Sequence, residues 1–251
     1  MTAELEVLHD AVTRLEHAGI AYMLTGSIAL SYYAEPRMTR DIDVVAELSG
    51  RAAKSIAALF TPDYYASEAD ITAAVASDGI FNVLHLAKLV KLDFIVRKDT
   101  PYRRHEFERR RRVRLPGFEA WIVSREDLIL SKLAWAKDSG SELQLRDVRA
   151  LLAGGADRTY LECLGERARG NGDAWGYVSM KDTTSEFRKL VREGYARMAP
   201  EDRVRVCTEM FDTAVAVAAA SLPEDLDPAE RRFRLCERLY GDLAARALPR
   251  R

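Results

Sequence analysis

Apolar positions in the first eighteen residues recur at helical spacing. Leu5, Leu8, Val12 and Leu15 line one face, and Gly19 ends the run. The apolar segment Ala21 to Leu24 predicts a short strand. It leads through Gly26-Ser27 into a helical stretch from Ile28 to Ala34, which Pro36 closes. Ile42 to Ala46 reads as a strand and Ala52 to Phe60 as a helix. Phe81 to Leu86 and Val90 to Val96 predict two more strands around a short turn, and Val113–Leu115 with Ala120–Val123 a hairpin about Pro116-Gly117. Beyond Ser124 the strand signals stop. Helices are expected over 125–138, 142–153, 159–169, 185–197, 200–222 and 228–245. Three carry start signals: Ser124 before Asp127, Thr183 before Glu186, and Asp227-Pro228 before Glu230.

These elements define an α/β (α+β) chain, a sheet flanked by helices and followed by a helical C-terminal region. Three glycines, an Asn and an Asp between Arg169 and Ser179 suggest a linker. The expected organisation is a first domain over 1–169, built from a core at 1–123 and helices at 125–169. A linker at 170–179 and a helical domain over 180–251 follow. The tail's apolar stripe (Val204, Cys207, Phe211, Ala214, Ala218) needs a surface to cover, on the first domain or on another subunit.

Composition narrows the class. Hydrophobic content of 48% and charged content of 31% suit a folded core and exclude wholesale disorder. With 38 basic and 39 acidic side chains, the net charge of −1 makes no global case for nucleic acid or an acidic membrane. No apolar run approaches the ~18 residues of a membrane helix. The opening Met-Thr-Ala-Glu-Leu-Glu is acidic where a signal peptide is basic. Cys163, Cys207 and Cys236 are widely spaced, which argues against a disulfide framework and a structural zinc site. His9, His17, His85 and His105 show no ligand spacing. A cytoplasmic globular protein is expected.

The chemistry concentrates at Gly26-Ser27, Asp41-x-Asp43 and Asp93. Strand side chains alternate, so Asp41 and Asp43 point to one face, while Asp93 interrupts the apolar strand Val90 to Val96. Three carboxylates within ~4 Å repel by roughly 4 kcal/mol per pair at an effective dielectric of ~20. Bound cations relieve that cost. Carboxylate ligation with room for phosphate oxygens suits Mg²⁺, two ions of which clamp the attacking and leaving oxygens of an in-line displacement. Gly26-Ser27, between a strand and a helix, supplies backbone amides and a hydroxyl for an anion.

The stretch Leu24-Thr25-Gly26-Ser27-Ile28-Ala29-Leu30, through Tyr33, Arg37 and Thr39 to Asp41-Ile42-Asp43-Val44-Val45, resembles the nucleotidyltransferase superfamily that includes DNA polymerase β. Thirteen residues separate Ser27 from Asp41, which fits the bacterial AbiEii-type and related minimal members. The resemblance covers roughly residues 5–155 and implies the nucleotidyltransferase fold. It also implies that Asp41, Asp43 and Asp93 are catalytic and bind two Mg²⁺ ions (Mn²⁺ is an alternative), with Asp93 helping to activate the attacking hydroxyl. Gly26 and Ser27 would hold the triphosphate. Segments between Met198 and Asp242 resemble a small bacterial helical family of obscure function.

Two further charges fall on apolar stripes. Lys132 shares a helix face with Leu128, Ile129, Trp135 and Ala136, and Asp147 lies between Leu143 and Leu151. They form either a buried ion pair or a phosphate-binding lysine oriented by a carboxylate. The family resemblance, in which a Lys and an acidic residue serve the active site, brings the second level with the first. Arg37 and Arg40 are weaker candidates for the triphosphate. From Arg97 to Leu115 nine basic residues face three acidic ones, which reads as a solvated charged hairpin, with an RNA or tRNA footprint through Arg103–Arg114 as the alternative. The expectation is therefore a Mg²⁺-dependent nucleotidyltransferase using an NTP such as ATP. Toxin-like RNA modification is its favoured biology. The alternatives are an antibiotic or protein nucleotidyltransferase, or a catalytically silent binding protein. A homodimer or an antitoxin-like partner is left open.

Overall fold

A computed structural model describes residues 1–48, 50–157, 159–161 and 192–248. Helix α1 (Ala3–His17) starts on Thr2, whose side chain accepts from the Leu5 amide, and its Leu5, Leu8, Val12 and Leu15 face is buried. Then follow β1 (Tyr22–Leu24), α2 (Gly26–Tyr33), β2 (Asp41–Ala46), α3 (Ala53–Phe60), β3 (Tyr64–Ala66), α4 (Glu68–Ser77), β4 (Ile80–His85) and β5 (Val90–Val96). Next come α5 (Pro101–Glu108), the hairpin β6 (Arg111–Leu115) and β7 (Phe118–Ile122), α6 (Arg125–Ser139) and α7 (Glu142–Ala153). The tail contains α8 (Pro200–Ala220), α9 (Pro228–Tyr240) and a short helix Leu243–Ala247.

The seven strands form one mixed sheet in the order β3-β4-β5-β2-β1-β7-β6. β2 pairs parallel with β5 and β1 parallel with β7; the other neighbours are antiparallel. The fold is thus the expected mixed sheet flanked by helices. Several details differ. Helix α2 begins at Gly26 itself, two residues before its expected start. The pattern missed β3, α4 and α5, whose short or charged sequences carry little periodicity. Residues 228–245 are broken at Gly241, which holds φ +57°. Of the helices expected over 159–169 and 185–197, only 159–161 and 192–197 are described; 159–161 and 192–196 are helical, and 197 is a turn. The Thr183 start signal and the 170–179 linker lie outside the described residues.

The tail packs on the sheet domain. Val204, Cys207 and Phe211 of α8 are buried in the same core as Leu24, Ile28, Ile42 and Ile129. Ala214 and Ala218, further along the stripe, are half-buried. Arg203 fixes the start of α8 by donating to the Ser31 and Tyr32 carbonyls at the end of α2. A second apolar cluster joins Phe233, Cys236, Leu243 and Ala244 to Leu84 and Leu89 of the β4–β5 hairpin. Because Phe211 is 1% exposed in the shared core, Phe211→Ala should lower the unfolding free energy by about 3–5 kcal/mol. Urea denaturation followed by circular dichroism measures this. An unchanged main transition would show that α8 is not part of the sheet's core.

Candidate active site

The sheet's centre carries the acidic cluster. In β2, Ile42, Val44 and Ala46 enter the core while Asp41, Asp43 and Val45 take the other face; β5 likewise buries Val90, Leu92, Phe94 and Val96. The parallel register sets Asp43 opposite Asp93, and Asp41 opposite Lys91. On the far side of β5, Asn82 of β4 stands opposite Asp93 and donates to its Oδ1 at 2.7 Å. Asp41, Asp43 and Asp93 therefore share one face of adjacent strands. Among the described residues no three His, Cys, Asp or Glu side chains make a ready-assembled metal-ligand cluster. Instead, Lys91 Nζ lies 3.2 Å from Asp41 and 3.0 Å from Asp93.

The Gly26-Ser27 turn abuts this cluster. The Thr25 amide donates to the Asp43 carbonyl at 3.0 Å, and the Thr25 side chain makes no capping bond to α2. Gly26 has φ +60°, and a Cβ there would meet Asp43 Oδ2 at 1.8 Å. Only glycine fits, for backbone and contact reasons together. Ser27 is buried at the first turn of α2. Burial, then the negative charge of Asp93 and Asp41, pushes the Asp43 carboxyl up to about 6. Burial also raises Asp41, against the pull of Lys91.

Lys132 and Asp147 meet as one of the two alternatives required. Lys132 Nζ lies 2.7 Å from Asp147 Oδ2 and donates to Gln144 Oε1 at 3.1 Å. Arg37 is the third member, donating to Asp147 through Nε at 3.1 Å and Nη2 at 3.0 Å. Burial lowers the Lys132 pKa, while Asp147 and, more weakly, Asp43 pull it up. The expected helix faces need correction. Leu128, Ile129 and Ala136 are buried with Lys132, and Leu151 with Asp147, but Trp135 is 58% and Leu143 45% exposed. Both sit at the margins of stripes narrower than the sequence count suggests. Arg40 offers its carbonyl to Tyr240.

The basic segment is less cationic than its sequence. Arg97 pairs with Glu47, Arg104 with Asp99 at 2.8 Å, and Arg103 with Glu106 at 2.7 Å. Arg109 bonds Asp127 at 3.0 Å, and Arg112 bonds Glu119 at 3.0 Å. Arg110 stacks on Phe107 and Trp121. Part of the segment is helix α5 rather than hairpin. No helix among the described residues is long and apolar enough to cross a membrane.

Four residues near the site escaped sequence reasoning: Lys91, Asn82, Tyr240 and Glu4. Strand alternation from Asp93 finds Lys91, but the others need the tertiary structure. Tyr240 of α9 donates to the Leu89 carbonyl at 2.8 Å, and Lys91 Nζ lies 5.9 Å from its ring centroid. Glu4 is fully buried in α1, with neither carboxylate oxygen hydrogen-bonded. Burial, then Asp212 and Asp41, raises its pKa from 4.5 to about 9. The folded protein therefore keeps a proton that the unfolded chain releases, and stability falls as pH rises from about 4.5 towards 9. Glu4→Gln should melt higher than the parent at pH 8, with the gain vanishing near pH 4. Thermal unfolding across that range checks it, and a gain independent of pH would remove Glu4 as its source.

No protein-family model matches the chain, and no curated protein matches it. Among solved structures, the chain is similar to an antigenic nucleotidyltransferase-like protein from Paracoccidioides brasiliensis. Identity is 17% and the TM-score 0.42, over 66% of this chain and 89% of that one. It is also similar to the lincosamide antibiotic adenylyltransferase LnuA, solved with lincomycin bound. Identity there is 16% and the TM-score 0.39, over 59% of this chain and 94% of that one.

Proposed function

We propose that this chain is a nucleotidyltransferase that moves a nucleoside monophosphate from an NTP to an acceptor hydroxyl and releases pyrophosphate. One observation carries the reading: Asp41, Asp43 and Asp93 share a sheet face against a glycine turn that admits no side chain. The donor set fits Mg²⁺ or Mn²⁺, since its side-chain ligands are hard carboxylate oxygens. The Lys91 ammonium between Asp41 and Asp93 supports this, because the pair already holds positive charge. Asp41, Asp43 and Asp93 would hold the metal. When bound, it would neutralise phosphate charge and acidify the acceptor hydroxyl.

The chain's own groups complete the chemistry. Amides of Gly26 and Ser27 at the start of α2 face the triphosphate, where the helix dipole favours anions. Lys132, oriented by Asp147, adds a positive charge to the phosphates, and Arg37 holds Asp147 from the other side. Asp93, steadied by Asn82, accepts the proton of the acceptor hydroxyl. That oxygen bonds to the α-phosphorus as the bond to the bridging oxygen breaks, and pyrophosphate departs with the electron pair. ATP is the first nucleotide to test. An RNA acceptor rests on the family resemblance and on the basic residues of Arg103–Arg114. The pairing of Arg103, Arg104, Arg109 and Arg112 leaves less free charge there for an RNA backbone, so protein and small-molecule hydroxyls stand beside RNA as acceptors to test.

Incubation with each α-labelled NTP, Mg²⁺ or Mn²⁺, and RNA, protein and small-molecule fractions tests the proposal. Label should move to one fraction as pyrophosphate appears. Asp41→Asn and Asp43→Asn should abolish transfer, and Asp93→Asn should slow it by about 10²–10⁴-fold. Wild-type turnover by these variants would sink the assignment. Metal-dependent NTP binding without transfer to any fraction would identify a silent binding protein.

Lys132→Met separates a phosphate contact from a structural pair. Arg37 still satisfies Asp147 in that variant, so its stability should change little. Loss of one charge-assisted bond, about 1.5–3 kcal/mol, should weaken NTP binding roughly 10–100-fold. Calorimetric titration and thermal unfolding of the one variant decide it. Reduced stability with unchanged NTP affinity would make the pair structural.

A further inference from the structure

Lys91 is unusual among the charges near the site because it contacts two of the carboxylates at once. Its register partner across the parallel pair is Asp41, and its same-strand neighbour on that face is Asp93. The ammonium lies 3.2 Å from the first and 3.0 Å from the second, and its side chain is 15% exposed. Tyr240 walls it on another side. The Tyr240 hydroxyl is bonded to the carbonyls of Leu89 and Arg40, two residues before Lys91 and one before Asp41. Its ring therefore stays fixed beside the ammonium, within cation–π range.

This arrangement bears on how a metal enters. A compact ammonium with three donors occupies the oxygens that a divalent ion needs. An incoming ion must break both contacts and the ring interaction. A metal that arrives with a triphosphate brings phosphate oxygens as further ligands, and negative charge to which the freed lysine is attracted.

We propose that Lys91 is a built-in counter-ion that holds Asp41 and Asp93 against free divalent cations and yields when the metal arrives with a nucleoside triphosphate. The inference rests on the nucleotidyltransferase reading above. It assigns Lys91 as a positioning residue that makes metal loading depend on nucleotide. Without Lys91 the carboxylates repel in the metal-free protein, so they should take a free cation more readily.

Calorimetric titration of the full chain with Mn²⁺ alone, and again with a non-hydrolysable NTP analogue present, tests this on the parent and on Lys91→Met. Lys91→Gln is a second variant that keeps a polar group of similar length. Removal of Lys91 should tighten Mn²⁺ binding without nucleotide at least tenfold and narrow the difference that nucleotide makes. The metal-free variants should melt lower than the parent and gain more from added Mn²⁺. If both variants bind free Mn²⁺ no more tightly than the parent, while all three bind it with nucleotide, the lysine's role is overturned and the metal centre stands. If none binds Mn²⁺ in either condition, the metal-centre reading fails, and the role of Lys91 with it.

Discussion

Like-charge repulsion across two neighbouring strands is the constraint around which this protein is built. Asp43 and Asp93 face each other in register with Asp41 one pleat away, and no apolar packing can offset that cost. The surroundings answer with charge and dipole. Lys91 joins Asp41 to Asp93, Lys132 stands near Asp43, and Asn82 turns an amide towards Asp93. Asp43 still sits well above the ordinary carboxylate range. Compensation is partial. The negative charge left over is what the proposed metal-binding reading draws on.

The rest of the fold brings these groups together and excludes water from behind them. The carboxylates stand on β2 and β5, which pair in parallel near the middle of the sheet, so their positions are fixed by ladders on both sides. Helices α6 and α7 supply Lys132 and Asp147 from outside the sheet. The tail belongs to the same construction. The Cys207 thiol of α8 donates to the Arg37 carbonyl at 3.0 Å, and Tyr240 of α9 bonds backbone beside Asp41 and Lys91. The C-terminal helices thus brace both the Arg37 arm and the acidic face.

How far the sequence could be read follows from which signals are local. Strand alternation alone puts Asp41 and Asp43 on one face, and an isolated carboxylate in an apolar strand marks Asp93. Helical spacing likewise finds Lys132 and Asp147 as charges on buried stripes. Contact between segments distant in the chain is invisible to such patterns. Arg37 as the second cationic partner of Asp147 depends on the packing of α7 beside α2. The burial of Glu4 depends on a helix two hundred residues away. The pairing within the basic segment is hidden for the same reason, because Arg109 and Arg112 find carboxylates on other elements. Trp135 and Leu143 erred differently: the helical count ignores how much neighbouring surface is there to cover a stripe.

The contact between Gly26 and Asp43 has a consequence for how this site can change over time. A methyl group at position 26 overlaps the Asp43 carboxylate, so accepting one requires the Asp43 side chain to swing away or to be shortened. Either change takes that carboxylate from its place in the cluster. The two positions are locked as a unit, and drift at either one leads away from an intact acidic centre.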